Sequence, residues 1–325
     1  MRALVVKLSS LGDLFSAMPA VQLVRRHTGA VLEWVTQPEY VSLVRRVRGV
    51  ERVIAYPRRD FFTAWPAFRR DLRSTPHDLV LDFQGLLKSA LVCRLAGGAR
   101  LIAPSFSREG SSQPVSAREG RARPRRPRHA VDSCLDTVRH LRRWPTGWSG
   151  AIDFPDGTPA PPRTSPSPPP FPGGPPRTGR WSASAPGCVL LRGNLRHPAP
   201  WAASLTAPPA KPSSRELGPR VFNHAGATDL PRTGGLLARM DLLVTNDSGP
   251  MHMACAAGTR VLALFGPTDA RRTGPYGDRH TVLQSPRFTP ADADSSAYKS
   301  GDLKWMSAID PADVLRTALT MISRA

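Results

Sequence analysis

Short apolar runs alternate with amphipathic stretches along the first hundred residues. Compact apolar runs bounded by turn residues are typical of strands buried on both faces, whereas apolar residues spaced three or four apart are typical of helices. We predict strands at 3–6, 31–35, 53–56 and 79–83, and helices at 14–26, 40–47, 61–72 and 86–95. This alternation predicts an α/β fold with a parallel, doubly wound sheet.

The same alternation returns in the last hundred residues. We predict strands at 242–244 and 260–265, with a helix entered directly after the first of them. The chain then closes with an amphipathic helix, for which Asp310 is the expected N-cap and Pro311 the first residue. A length of 325 residues favours two domains.

Residues 155–219 break the pattern. Eighteen of the 35 prolines fall there, and no Asp or Glu occurs from Gly157 to Arg215. Proline-rich runs disfavour regular helix and central strand, so only 188–191 suggests a strand. This composition is expected of a disordered linker, and equally of a GC-rich gene translated out of frame.

The chain is strongly basic, with a net charge of +20 and a pI near 11.3. Such a charge favours nucleic acid or an anionic membrane surface as a partner. Forty of the 45 basic residues are arginine, however, and no recognition helix or stacking motif accompanies them. We therefore predict no nucleic-acid partner. The arginine-rich stretch 104–128 is either a solvated linker or a patch that faces anionic lipid.

The four cysteines are scattered and form no CxxC pair, which favours a reducing compartment and no structural metal. The apolar run at the N-terminus is short and is interrupted by Lys7, so we interpret it as a first strand and not as a signal peptide. The sequence contains no 18-residue apolar run of the kind that crosses a membrane.

Chemistry-bearing side chains collect where the predicted N-terminal strands end, and ligands of doubly wound sheets bind at those ends. The residues concerned are Lys7, Ser10, Gly12 and Asp13 after the first strand, Arg58 and Arg59 after the third, and Gln84 and Lys88 after the fourth. Cations here suit an anionic ligand, although surface charge on a basic protein is the alternative. Asp13 and Gln84 either contact a ligand or cap the helices that follow them.

A second candidate site follows the predicted strand 242–244. There Asp247-Ser248-Gly249 ends the strand and begins a helix. Backbone N–H groups at such a helix N-terminus bind phosphate, and glycine permits close approach. A carboxylate repels phosphate, so sugar hydroxyls are the expected partners of Asp247. His252, one turn into the helix, either donates to a phosphate or is a packing residue.

Four motifs, in their order and spacing, resemble the family 9 glycosyltransferases, which are the ADP-heptose:lipopolysaccharide heptosyltransferases. The motifs are Lys7-Leu-Ser-Ser-Leu-Gly-Asp13, Asp82-Phe-Gln-Gly-Leu-Leu-Lys88-Ser89, Thr245-Asn-Asp-Ser-Gly-Pro-Met-His252, and Phe265-Gly-Pro-Thr-Asp269 with Thr273-Gly-Pro-Tyr-Gly277. The resemblance implies a GT-B fold, with two Rossmann-like domains that face a cleft. It also implies transfer with inversion at the anomeric carbon and without a required metal or other cofactor.

The resemblance also implies roles for the candidate residues. Asp13 is the expected general base. The expected acceptor-binding residues are Lys7, Ser10, Gly12, Arg58, Arg59, Gln84 and Lys88, and the expected donor-binding residues are Asp247, Ser248, Gly249, His252, Thr273 and Gly274. The donor is ADP-heptose, and the acceptor is the lipid-linked core of lipopolysaccharide. The implied location is cytoplasmic, peripheral at the inner face of the inner membrane.

The sequence departs from the family in the region between the two candidate sites. Family members carry a Pro-Gly loop and a Lys-Arg-Trp-Pro-like segment whose lysine holds the donor phosphates, and none is recognisable here. We therefore expect an acceptor-binding domain at 1–150, an aberrant or disordered segment at 151–220, and an incomplete donor-binding domain at 221–325. The alternative function is a vestigial nucleotide-sugar-binding protein without turnover.

Overall fold

The computed structural model describes residues 1–58, 61–104, 129–138, 189–192, 201–204, 221–223, 228–290 and 304–323. The chain divides into two units by its contacts. The first unit comprises Met1–Phe154, Ala256–Gly258 and Arg271–Tyr276, and the second comprises Pro155–Cys255, Thr259–Ala270 and Gly277–Ala325. The arginine-rich stretch 105–128 and most of the proline-rich segment lie outside the described residues.

The first unit contains a five-stranded sheet in the order β3-β2-β1-β4-β5. Its strands are β1 (Arg2–Val6), β2 (Val31–Thr36), β3 (Val50–Ala55), β4 (Leu79–Asp82) and β5 (Arg100–Ile102). Every pairing is parallel, so the predicted doubly wound sheet is confirmed. Strand β5 was not predicted, because a strand of three residues is too short to show a period.

The helices of the first unit are α1 (Leu11–Thr28), α2 (Val41–Val44), α3 (Phe61–Arg73), α4 (Leu87–Ala96) and α5 (Ala130–Val138). Helix α1 begins three residues earlier than predicted, because Ser10 and Asp13 form a capping box at its N-terminus. The predicted helix 40–47 was too long: the chain forms a 3₁₀ turn, then α2, and then bends at Gly49, whose φ is +82°.

Apolar side chains of β1 and its neighbours form the core of this unit. Leu4 and Val6 of β1 are fully buried, and Phe68 and Leu72 of α3 pack against the same cluster. Glu33 of β2 is also buried, and it is bonded by charged and polar residues near the amino ends of the strands. The sheet therefore carries an ionic cluster at the end opposite to the predicted site.

The second unit contains a six-stranded sheet in the order β11-β10-β9-β6-β7-β8. Its strands are β6 (Val189–Arg192), β7 (Trp201–Ser204), β8 (Val221–Asn223), β9 (Leu242–Asn246), β10 (Arg260–Phe265) and β11 (Thr281–Gln284). The neighbours β9, β10 and β11 are parallel, whereas β6 is antiparallel to both β7 and β9. A strand at 188–191 was predicted, but its antiparallel pairing departs from the Rossmann-like pattern.

The remaining helices are α6 (Leu230–Ala238), α7 (Gly249–Ala257), α8 (Ala270–Thr273) and α9 (Pro311–Ser323). The predicted start of α9 is confirmed, because Asp310 Oδ1 accepts the backbone N–H of Ala312 at 2.9 Å. Ala318 and Met321 of α9 pack against Leu242 of β9 and Leu262 of β10. The last helix thus covers the strand that leads to the second candidate site.

Candidate functional site

Lys7 is a buried cation at the carboxyl end of β1. Its side chain is 2% exposed, and Nζ donates to the carbonyl of Phe83 at 2.9 Å, across the sheet. The same Nζ lies 3.9 Å from Oδ1 of Asp13. A buried ammonium favours a nearby anion. Lys7 therefore places positive charge beside Asp13, the predicted base. The acceptor-binding role predicted for Lys7 stays a prediction.

Asp13 caps helix α1 and is also partly exposed, so its position fits both the capping role and the ligand-contacting role considered from the sequence. Its Oδ2 accepts the backbone N–H and the hydroxyl of Ser10, each at 3.2 Å, so it caps α1. Its side chain is nevertheless 22% exposed, and Oδ1 is turned toward Lys7. One carboxylate oxygen is thus engaged in the cap while the group as a whole stays open to solvent and to a ligand.

Gln84 holds the loop that carries these residues. Its Oε1 accepts the backbone N–H groups of Leu8 at 2.9 Å and of Ser9 at 3.2 Å, and its side chain is buried. Gln84 therefore binds the β1–α1 loop and does not cap the following helix. Ser89 does that instead, because its hydroxyl accepts the N–H of Leu86 at 3.0 Å. The role of Gln84 in acceptor binding stays a prediction.

Asp82 anchors the neighbouring loop from the end of β4. Burial raises the pKa of Asp82, while hydrogen bonds from the N–H groups of Gly85 and Gln84, a third from Ser89, and the charge of Lys7 act in the opposite direction. The N–H groups of Gln84 and Gly85 lie 2.8 and 3.1 Å from Oδ1, and the Ser89 hydroxyl lies 3.0 Å from Oδ2. Asp82 therefore fixes the loop that presents Lys88, which is half-buried on α4.

Arg58 and Tyr40 flank the same end of the sheet. The exposed Arg58 pairs with Glu39 at 3.4 Å. Burial raises the pKa of the Tyr40 phenol, and the charges of Glu39 and Asp13 add to this while that of Arg58 opposes it. Tyr40 is thus a neighbour of Asp13 that the sequence analysis missed, since nothing in its local pattern distinguishes it from a helical packing residue. Arg59 lies outside the described residues.

The second unit forms the predicted strand-to-helix turn. Strand β9 ends at Asn246 and α7 begins at Gly249. The Thr245 hydroxyl lies 3.2 Å from that of Ser248, and the carbonyl of Ser248 accepts the N–H of Met251 at 3.1 Å. These bonds are those of a helix entry, so α7 presents its N-terminal N–H groups after Ser248, as a phosphate site requires. Asp247 and His252 are both half-buried beside this turn.

The predicted residues thus form separate groups in the chain. Lys7, Ser10, Gly12, Asp13, Gln84 and Lys88 share the carboxyl end of the first sheet, and Asp247, Ser248, Gly249 and His252 share one turn of the second unit. Thr273 and the buried Gly274 belong to the segment that clusters with the first unit. Among the described residues, no group of three or more His, Cys, Asp or Glu side chains is arranged to hold a metal ion.

Comparisons with known proteins show similarity to one glycosyltransferase family. Residues 206–299 match the model described as glycosyltransferase family 9 (heptosyltransferase). Lipopolysaccharide heptosyltransferase 1 of Pseudomonas aeruginosa is 27% identical over 328 residues, which cover 88% of this chain and 84% of that protein. The protein of the same name from Escherichia coli K12 is 26% identical, with 91% and 98% covered. Along most of its length the chain is therefore similar to heptosyltransferases of glycosyltransferase family 9.

Solved structures agree with the fold of this chain. A family 9 glycosyltransferase from Veillonella parvula has a TM-score of 0.74 at 18% identity, covering 100% of this chain and 98% of that one. The E. coli heptosyltransferase WaaC with ADP has a TM-score of 0.65 at 20% identity, covering 99% and 100%. The predicted GT-B type fold with Rossmann-like domains is confirmed. The predicted incompleteness of the second domain stays a prediction.

A second residue that was not predicted from the sequence, Gln284, organises the Phe265–Asp269 turn. Gln284 Nε2 donates to the carbonyls of Phe265, Gly266 and Thr268 at 3.3, 2.9 and 3.2 Å. Gly266 is packed so closely that an added Cβ would lie 3.0 Å from Sδ of Met306. One side chain thus holds three carbonyls of this turn.

No helix among the residues that the structure describes is long and apolar enough to cross a membrane.

Proposed function

We propose that this chain is a heptosyltransferase that transfers a heptose from ADP-heptose to the inner core of lipopolysaccharide, with inversion at the anomeric carbon. The observation that carries the proposal is the partly exposed Asp13 carboxylate beside buried Lys7 at the carboxyl end of the first sheet, in a chain whose residues 206–299 match the family 9 model. The lipopolysaccharide heptosyltransferases that resemble this chain along most of its length support the same substrate class.

In the proposed reaction Asp13 removes the proton from the attacking hydroxyl of the acceptor as the new glycosidic bond forms. The bond between the anomeric carbon and the diphosphate breaks on the opposite face, and ADP leaves. Oδ1, which faces Nζ of Lys7, is the oxygen that takes the proton, because Oδ2 accepts hydrogen bonds from Ser10. The Lys7 ammonium beside it favours the ionised carboxylate, which is the form that accepts a proton.

The donor diphosphate is proposed to bind at the N-terminus of α7. Its developing negative charge is stabilised there by the N–H groups after Ser248 and by the helix dipole. Asp247 is proposed to bind ribose or heptose hydroxyls, and His252 to donate to a phosphate.

On the acceptor side, the cations Arg58 and Lys88 suit a phosphorylated, acidic core sugar. We propose a peripheral position at the cytoplasmic face of the inner membrane, where such an acceptor lies.

The transfer itself is the test. The purified chain is expected to release ADP from ADP-heptose only when a heptose-free lipopolysaccharide core is present, and to do so in a chelating buffer. NMR of the product should show the anomeric configuration opposite to that of the donor. Retention would overturn the inverting mechanism, and strict dependence on an added divalent metal would overturn the metal-free one.

The vestigial alternative is favoured by one observation about the donor half. The only lysine between residues 151 and 220 is Lys211, and the described strand β6 runs antiparallel to β9. A protein without the phosphate-binding lysine keeps only part of the donor site. Calorimetry with ADP separates the two: micromolar binding supports the transferase, and absence of heat supports the vestigial protein.

The gene itself offers an independent test of the donor half. If codons 150–220 are frameshifted relative to a working enzyme, another reading frame should encode a Pro-Gly loop followed by a Lys-Arg-Trp-Pro-like segment. Resequencing the locus and translating all frames checks this. The hypothesis fails if no frame contains such a segment.

A further inference from the structure

Helix α5 bonds the Thr273–Tyr276 turn through two side chains of its first turn. Nε2 of His129 donates to the carbonyl of Gly274 at 2.9 Å, and the hydroxyl of Tyr276 donates to Oδ1 of Asp132 at 2.9 Å. The rings of His129 and Tyr276 also stack, with their centroids 4.9 Å apart and a tilt of 43°. Two hydrogen bonds and a ring contact therefore converge on one short segment.

The helix presents these groups in a defined way. His129 precedes α5, and its Nδ1 accepts the N–H of Val131 at 3.2 Å, so it serves as the N-cap. Because Nδ1 accepts, the proton of the neutral ring is on Nε2, the atom that faces Gly274. Capping the helix and bonding the turn thus require the same tautomer, and Asp132 lies in the same first turn, where a carboxylate is favoured by the helix dipole.

The bonded carbonyl controls the geometry of the turn. The Gly274–Pro275 peptide has no N–H, so the carbonyl of Gly274 is its only polar group, and His129 holds it. Glycine is otherwise the residue with the widest choice of backbone angles. Fixing this one carbonyl therefore fixes the peptide plane next to Thr273 and Gly274, two of the donor-binding residues that the resemblance to family 9 implies.

We propose that His129 and Asp132 are positioning residues that hold the Thr273–Tyr276 turn in the conformation that receives the sugar of the nucleotide-sugar donor. They do not touch the donor themselves. The proposal rests on the proposed function, since it applies only if this chain binds a nucleotide-sugar donor. It adds a specific signature: affinity for the sugar part of the donor should depend on α5, and affinity for ADP alone should not.

Four substitutions separate the positioning role from an effect on stability. His129→Asn keeps a side chain that caps a helix well, but this side chain is too short to reach Gly274. Asp132→Asn is the conservative variant, because it keeps an oxygen that accepts from Tyr276. Asp132→Ala and Tyr276→Phe each remove one end of the second bond, so the double variant should be no worse than either single one.

The expected result is measured by calorimetry with ADP and with ADP-heptose. His129→Asn and Asp132→Ala should weaken binding of ADP-heptose by about five- to tenfold, the size of one hydrogen bond, and leave ADP binding unchanged. Asp132→Asn should restore binding to within about twofold of the parent. Where turnover is measured, the donor KM should rise while kcat and the acceptor KM stay. Equal binding of ADP-heptose by all variants would overturn the proposal.

A second measurement keeps the proposal testable if the parent chain binds neither ADP nor ADP-heptose, in which case the proposed function fails. Amide hydrogen exchange in a peptide covering 272–277 should then be faster in His129→Asn than in the parent, while a peptide from β1 is unchanged. Exchange that is equal in both proteins would show that α5 does not hold the turn.

Discussion

The Asp13→Asn variant is expected to lose heptose transfer by about 10²- to 10⁴-fold, the usual contribution of a general base. The asparagine oxygen can still accept from the N–H of Ser10, so the cap of α1 is kept. What disappears is the charge beside Nζ of Lys7 and the ability to accept a proton. Initial rates at saturating donor and acceptor measure the loss, and calorimetry should give an unchanged affinity for ADP.

The matched control for this variant is Asp78→Asn. Oδ2 of Asp78 accepts the backbone N–H of Arg2 at 2.8 Å, so this aspartate also bonds a main-chain N–H, at the start of β1 and remote from Lys7. It should retain full turnover. If Asp13→Asn also turns over at the parent rate with an intact fold, Asp13 is only the cap of α1 and the proposed mechanism is wrong.

The Glu33→Gln variant is expected to lose about 3 kcal/mol of stability at pH 7, the lower end of the range for breaking a buried ion pair. Glu33 is 1% exposed and accepts from Nε of Arg52 at 3.0 Å, from the hydroxyl of Thr75 at 2.9 Å and from Nε2 of His77 at 3.1 Å. Removal of its charge leaves Arg52 without its carboxylate, although Arg52 still donates to the hydroxyls of Ser74 and Thr75. The expected loss lies at the lower end of that range because the side chain of Arg52 is 33% exposed, so water can hydrate its charge once the carboxylate is gone. Urea unfolding measures the difference.

The loss in Glu33→Gln should depend on pH in a defined direction. Burial by itself raises the pKa of Glu33, but the hydrogen bonds from Arg52, His77 and Thr75 and the charge of Arg52 outweigh it and leave the pKa below 4.5. A carboxyl whose pKa is lower in the folded state contributes stability above its unfolded pKa, and this contribution is lost as the pH falls through the folded pKa. The gap between parent and variant should therefore be full above about pH 5 and shrink on further acidification.

Glu51→Gln is the matched control for this second prediction. Glu51 lies exposed on β3, next to Arg52, so the substitution changes the same chemical group without removing a buried partner. Its stability should stay within about 0.5 kcal/mol of the parent at every pH. A gap for Glu33→Gln that does not change between pH 7 and pH 3 would show that Glu33 contributes through packing and not through its charge.

Local pattern was sufficient for much of the fold. Strands β1, β2, β4 and β10 were predicted within one residue at most of their ends, because each is a compact apolar run between turn residues. The same method missed β5 and β11, which have three and four residues and are partly exposed. The antiparallel pairing of β6 could not be predicted from its own residues either, because the relative direction of two strands depends on which strands become neighbours.

The amino-acid sequence by itself determined the fold class, the resemblance to family 9 and the strand ends that carry chemistry, because periodicity, turn residues and short motifs are local. Only the tertiary structure decided what those residues contact. Gln84 bonds an N–H group 76 residues away, and His129 bonds a carbonyl 145 residues away. Such contacts follow from the packing of whole elements, so no window of sequence contains them. Asp13 shows both contributions: its motif predicted a general base, and only the folded loop placed Lys7 beside it.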